Sequence, residues 1–142
     1  MTRISTAFAR LRGENRTGLV PYVTAGDPDL ERTLGVLGAL TAAGADIIEV
    51  GVPFSDPLAD GPVIQRASER ALRSGTTLAA TLEMIGRARR TIDTPIVIFS
   101  YANPIWRMGV TTFAGRAADA GVDGVLVLDV PVEEADELRV PV

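Results

Sequence analysis

The chain contains no cysteine and no histidine. The first absence removes disulfides, thiolate nucleophiles and thiolate metal sites; the second removes the commonest metal ligand and the commonest general base. Lysine is absent too, so every cationic side chain is an arginine and any acid–base work falls to carboxylates. No dense basic cluster occurs, and the formal net charge is −4, which argues against a nucleic-acid backbone or an anionic membrane surface as partner. No apolar run approaches the roughly 18 residues that a membrane span needs, and the opening MTRISTAFARL lacks the apolar core of a secretion signal. The expectation is a cytoplasmic chain. With 46% hydrophobic and 23% charged residues over 142 positions, one globular domain with a real core is expected.

Periodicity divides the chain into alternating strands and helices. Ile4, Phe8 and Leu11 fall at helical spacing and predict a short lead-in helix ending near Gly13. A strand follows over 19–23. Asp27 then offers an N-cap and Pro28 a first helical position, with Leu30, Leu34, Leu37 and Leu40 on one face and Gly44 as the stop. The pattern recurs: strand 46–50, loop 51–60, helices 62–72 and 78–88, strand 95–101, loop 102–109, helix 113–120 and strand 125–128. Pro131, Glu133 and Glu134 begin a further helix, with acids where the helix dipole favours them. A weak internal repeat sets Ala43-Gly44-Ala45-Asp46 beside Ala120-Gly121-Val122-Asp123. Four apolar strands alternating with helices imply a parallel sheet, either doubly wound or part of a (β/α)8 barrel. No linker or second domain is evident over 1–142.

The unusual polar residues gather where ligands collect in such folds, at the carboxyl ends of strands. They are Thr24 and Asp27, Glu49 to Asp60, Tyr101 and Asn103, and Asp129. Glu49 interrupts the apolar run of Ile47, Ile48 and Val50. A carboxylate stranded in low dielectric costs several kcal/mol or shifts its pKa upward by roughly 3 to 5 units at the extreme, so Glu49 is a candidate proton-transfer group. Its other reading is a buried acid satisfied by backbone donors or an arginine. Asp56-Pro57 and Asp60-Gly61 are equally good turn formers, and Tyr101 and Asn103 equally good strand-end caps. Three neighbouring carboxylates can hold a divalent cation, but their spacing matches no calcium loop, and no metal is expected. Phe54 and Trp106 read as packing residues or contacts to a partner.

The stretch IIEVGVPFSDPLADGPVIQ, at 47–65, resembles the signature of the tryptophan synthase alpha subunit family. LVPYVTAGDP at 19–28, YANP at 101–104 and LDVPVEE at 128–134 are similar to further family segments, in the same order. The resemblance implies a (β/α)8 TIM barrel that cleaves indole-3-glycerol phosphate by retro-aldol chemistry to indole and glyceraldehyde 3-phosphate. It implies Glu49 as the general acid/base and Asp60 as the carboxylate that meets the indole N–H. Tyr22, Thr24 and Tyr101 become substrate contacts. Pro53, Asp56, Pro57, Asn103, Asp129 and Pro131 become the surface for the beta subunit in an alpha2beta2 tetramer. No cofactor is implied here, pyridoxal phosphate belonging to the beta subunit. A whole barrel needs roughly 200 residues at minimum, so four βα units read as an N-terminal half, without the lid loop and phosphate-gripping turns of the other half and with two open sheet edges.

Overall fold

A computed structural model describes residues 1–139. Helix α1 (Arg3–Gly13) starts at Thr2, whose side chain accepts the Ser5 N–H, and buries Ala7 and Leu11. The elements that follow are β1 (Tyr22–Thr24), α2 (Leu30–Ala42), β2 (Ile48–Gly51), α3 (Pro62–Arg73), α4 (Leu78–Ala88), β3 (Ile96–Ser100), α5 (Ala102–Met108), α6 (Val110–Ala120) and β4 (Gly124–Val127). A 3-10 segment, Val132–Leu138, comes last.

Three local expectations change. The cap of α2 is Asp29, which accepts the Arg32 N–H at 2.8 Å, and not Asp27. Asp27 instead precedes a cis peptide bond to Pro28 and accepts Arg70 Nε and Nη2 at 2.8 and 2.9 Å. The stretch expected as a loop after β3 is helical, α5, and its first N–H, that of Ala102, is held by Asp129 from the turn after β4, whose Oδ1 accepts it at 2.8 Å. Sequence periodicity sees only local partners. The expected helix at Pro131 is a 3-10 segment with no fully buried residue; Leu138 alone packs against the core, too little apolar contact to hold it in α geometry.

The four strands are parallel and lie in the order β1-β2-β3-β4. Each strand pairs with its sequence neighbour, and right-handed crossovers then place every connecting helix on the same face. Helix α2 packs on α4, and α4 on α6. A doubly wound sheet reverses its strand order and carries helices on both faces; this one does neither, so it is wound as a barrel segment. Ile48, Val50, Ile96 and Ile98 point into the helical layer and are fully buried with Leu37, Leu82, Met84 and Ile85. Each such side chain contributes about 1.5–3 kcal/mol relative to exposure. The opposite face carries Tyr22, Glu49, Val97 and Phe99, all half-buried.

Candidate active site

That second face is the inner wall of the curved sheet, and the register sets its rows. Tyr22, Glu49 and Val97 stand side by side on β1, β2 and β3. One step towards the carboxyl ends, Thr24, Gly51 and Phe99 form the next row. Gly51 has a steric reason to be glycine: a Cβ there would stand 1.9 Å from the Tyr22 hydroxyl and 2.5 Å from its Cζ. The missing side chain lets the Tyr22 ring lie across β2 and meet Phe99 edge-on, with centroids 5.4 Å apart at 78°.

Glu49 is half-buried rather than sealed in the core, because no layer among the described residues covers the inner face. Its carboxylate has no hydrogen-bond or ion-pair partner among the described residues. A buried acid satisfied by backbone donors or an arginine is not what the described residues show at Glu49. That description fits Asp46, three residues earlier. Asp46 is 1% exposed, accepts Arg10 at 2.7 Å, Arg16 at 2.7 and 3.1 Å and the Leu19 N–H at 2.9 Å. The Arg16 contact and the Leu19 N–H hold its pKa at about 2. Two acids sit on one short stretch: the one at the amino end is locked in place, and the one near the carboxyl end is left available.

Asp60 reaches the same mouth from the loop between β2 and α3. Turn hydrogen bonds run from the Leu58 N–H to the Asp56 carbonyl and from the Asp60 N–H to the Pro57 carbonyl, at 2.9 and 3.1 Å, so this segment is a folded turn as well as a carboxylate platform. Tyr101, at the end of β3, donates its hydroxyl to Asp60 Oδ2 at 3.1 Å and accepts the Ala59 N–H at 2.9 Å. The Phe54 ring lies 5.1 Å from it, centroid to centroid. The Gln65 Nε2 donates to the Asp60 carbonyl at 2.8 Å and ties the loop to α3. Burial pushes the Tyr101 hydroxyl upward in pKa, its bond from Ala59 opposes that, and the charge of Asp60 adds to it. Burial likewise raises the Tyr22 hydroxyl; the Thr24 contact works against this, and the carboxylates of Asp60 and Glu49 reinforce it. Both acids therefore bear on the space above the Tyr22 ring.

Of the residues expected to touch substrate, Tyr22 lines this space, Thr24 is 8% exposed in the next row, and Tyr101 is 4% exposed and engaged with the loop. Of those expected on the partner surface, Asp56, Asn103, Asp129 and Pro131 are exposed and Pro57 is half-buried, all on the rim at the carboxyl ends of the strands. Pro53 is buried, because it continues directly from β2 under the loop, and so does not present its ring on that rim. The Tyr101 clamp, Gly51 and the Phe54 contact were not visible in the sequence. For Asp46 a signal existed: its place in the repeat. Among the described residues, no group of three or more carboxylates is placed to hold a metal ion.

Comparison with known proteins adds a family to this geometry. The Trp_syntA family, described as tryptophan synthase alpha chain, matches residues 8–142. The tryptophan synthase alpha chain of Dechloromonas aromatica is 57% identical over 136 residues, covering 95% of this chain and 51% of that protein. That of Cupriavidus pinatubonensis is 55% identical over 141 residues, covering 99% and 53%. Among solved structures, tryptophan synthase subunit alpha from Legionella pneumophila aligns at a TM-score of 0.95 with 44% identity, covering 97% of this chain and 53% of that one. A tryptophan synthase complex from Pyrococcus furiosus aligns at 0.81 with 49% identity, covering 85% and 50%. The chain spans about half the length of the curated relatives it matches.

Proposed function

Since this chain belongs to the tryptophan synthase alpha chain family, we propose that it supplies the acid–base half of a retro-aldol site acting on indole-3-glycerol phosphate. The observation that carries this reading is the contrast between β2 and the loop after it: Glu49 has no partner among the described residues on the inner wall, while Asp60 is held at the same mouth by the Tyr101 hydroxyl. A free carboxylate can exchange protons; a clamped one can hold a position.

In the proposed reaction Glu49, as a carboxylic acid, protonates the indole ring carbon that bears the glycerol chain. Asp60 accepts the indole N–H and stabilises the cationic indolenine tautomer so formed. The Glu49 carboxylate then takes the proton of the adjacent glycerol hydroxyl. The carbon–carbon bond breaks, its electrons return to the ring, and indole and glyceraldehyde 3-phosphate leave with Glu49 protonated again. Tyr22, with its ring fixed against Phe99, forms a wall for the planar indole, and Thr24 flanks it one row nearer the mouth. Tyr101 acts chiefly as a positioning residue for Asp60, whatever contact its ring makes. No cofactor is required for these steps.

The partner proposed is a tryptophan synthase beta subunit, which carries pyridoxal phosphate, in an alpha2beta2 assembly of the kind named for the Pyrococcus furiosus relative. Asp56, Pro57, Asn103, Asp129 and Pro131 would form the contact. Indole could then pass from one subunit to the other, and the cytoplasm is the compartment this reading assigns. The described residues hold no helix long and apolar enough to cross a membrane.

The test is indole release from indole-3-glycerol phosphate by the chain mixed with a beta subunit, comparing wild type with Glu49→Gln and Asp60→Asn. Loss of general acid–base catalysis at Glu49 should lower turnover about 10²- to 10⁴-fold. Turnover unchanged in Glu49→Gln would remove that residue from the chemistry. Complex formation without indole release would favour a second reading, a non-catalytic binder of the beta subunit, for which the exposed rim residues speak.

A further inference from the structure

Asp60 is tied at three points, and the three ties come from different parts of the fold. Its N–H donates to the Pro57 carbonyl at 3.1 Å, within its own turn. Its Oδ2 accepts the Tyr101 hydroxyl at 3.1 Å, from the end of β3. Its carbonyl accepts the Gln65 Nε2 at 2.8 Å, from the start of α3. The first tie orients the peptide before Asp60 and the second the end of its side chain; the third alone acts on the planar peptide that follows. Turned over, the Gln65 amide would set Oε1 against that carbonyl with no proton between them, so the hydrogen-bond network assigns which way it points.

The peptide held by Gln65 joins Asp60 to Gly61, and Gly61 is a loose joint. Its φ of −75° and ψ of 172° are open to any residue, and a Cβ there would meet nothing within 4 Å. Neither conformation nor crowding asks for glycine, so what the missing side chain adds is freedom. An alanine before Pro62 would be confined largely to the extended region that Gly61 occupies. Gln65 closes this joint from both sides. Its backbone N–H donates to the Gly61 carbonyl at 3.0 Å, and its side chain to the Asp60 carbonyl, so the φ and ψ of Gly61 lie between two gripped groups. The helix that does the gripping is itself seated, with Ala67, Ser68 and Ala71 buried and Arg70 paired to Asp27.

We propose that Gln65 is a positioning residue for Asp60: by holding the carbonyls on either side of Gly61, it fixes the direction in which the Asp60 carboxylate leaves the loop. Tyr101 sets the far end of that side chain, and Gln65 sets where it starts. An acid anchored at both ends has little room to turn, whereas one anchored only at its tip swings with the backbone behind it. This role rests on the reading of Asp60 as the acceptor of the indole N–H and deepens it, since α3 as well as β3 then aligns that acceptor. Alignment matters because an acceptor stabilises a developing charge only where it already points at it.

The test compares indole release from indole-3-glycerol phosphate, in the presence of a beta subunit, by wild type and Gln65→Met. Methionine has the length and helix propensity of glutamine but no donor. We expect kcat to fall by between about 5-fold, the worth of one hydrogen bond, and about 100-fold, the effect of an ångström of misplacement, with KM nearly unchanged. Adding Gly61→Ala should recover part of the loss by stiffening the joint, and in the Asp60→Asn background Gln65→Met should cause no further loss. A merely structural bond would show neither effect. Nitrogen-15 relaxation of the chain reads the joint whatever the turnover: the Gly61 amide should have an order parameter near ~0.85 in wild type and below ~0.6 in Gln65→Met. Should Gln65→Met fail to fold, Gln65→Glu, whose carboxylate likewise cannot donate, takes its place. An unchanged kcat in Gln65→Met, no recovery with Gly61→Ala, or a Gly61 amide equally ordered in both proteins would each overturn the proposal. Unchanged turnover in Asp60→Asn would instead overturn the catalytic reading beneath it, a result the Gln65 variants cannot produce.

Discussion

The Tyr101 hydroxyl donates to Asp60 Oδ2 at 3.1 Å and accepts the Ala59 N–H at 2.9 Å, so one phenol joins the end of β3 to a loop 41 positions earlier in the chain. The bond fixes where Asp60 stands, which neither turn chemistry nor the strand before it could do alone. A loop carries high conformational freedom, and a carboxylate on it is useful only when held.

Tyr101→Phe keeps the ring against Phe54 and removes both hydrogen bonds. We expect a loss of about 1 kcal/mol in stability, the usual net worth of such a bond, and faster amide exchange at Ala59 and Asp60 than in the wild type. Hydrogen exchange followed by NMR checks this. Unchanged protection of Ala59 would show that the loop holds itself without the phenol.

Gly51→Ala places a methyl group 1.9 Å from the Tyr22 hydroxyl. The ring must leave its place over β2, at an expected cost of about 1–3 kcal/mol, the range for overpacking. Removing the obstacle should restore stability, so Tyr22→Val combined with Gly51→Ala is expected to be less destabilised than the sum of the two single variants. Urea melts of the four proteins measure the coupling; additive losses would mean that the clash is not the cause.

Asp46 carries a pH dependence with a definite sign. Its folded pKa, about 2, lies below the ordinary 3.8, so the native state favours the ionised form. The stabilisation is complete above pH 4 or so and is lost as pH falls through the interval from about 4 to about 2. Asp46→Asn should flatten the acid limb of the stability curve in that window while lowering stability at neutral pH. Thermal melts between pH 2 and 7 decide it, and an unchanged acid limb in the variant would assign the dependence to other carboxylates.

Much of the site was legible from local pattern. The apolar strands, the helix-ending glycines and the placing of Glu49 at a strand's carboxyl end follow from spacing, and spacing survives into the structure because alternation along a strand is geometric. Capping from a distance was not legible. Asp129 holds the Ala102 N–H at the start of α5, and Arg70 draws Asp27 away from capping α2, although each partner is remote in sequence. Pro53 resembled a surface contact by its motif and proved buried, since burial depends on what lies above it rather than on its neighbours in the chain.

Composition and periodicity alone were enough to specify a parallel α/β chain in which carboxylates stand in for the missing histidine, cysteine and lysine as candidate proton-transfer groups, because missing side chains cannot act and a repeating apolar pattern has few ways to be buried. Which carboxylate is locked and which is free was settled only in three dimensions. Asp46 and Glu49 lie three positions apart on the same stretch of chain, but Arg10, Arg16 and the Leu19 amide converge on the first, and among the described residues no side chain bonds to the second. Charge partners are chosen by folding, through contacts between distant segments, and no local pattern records them.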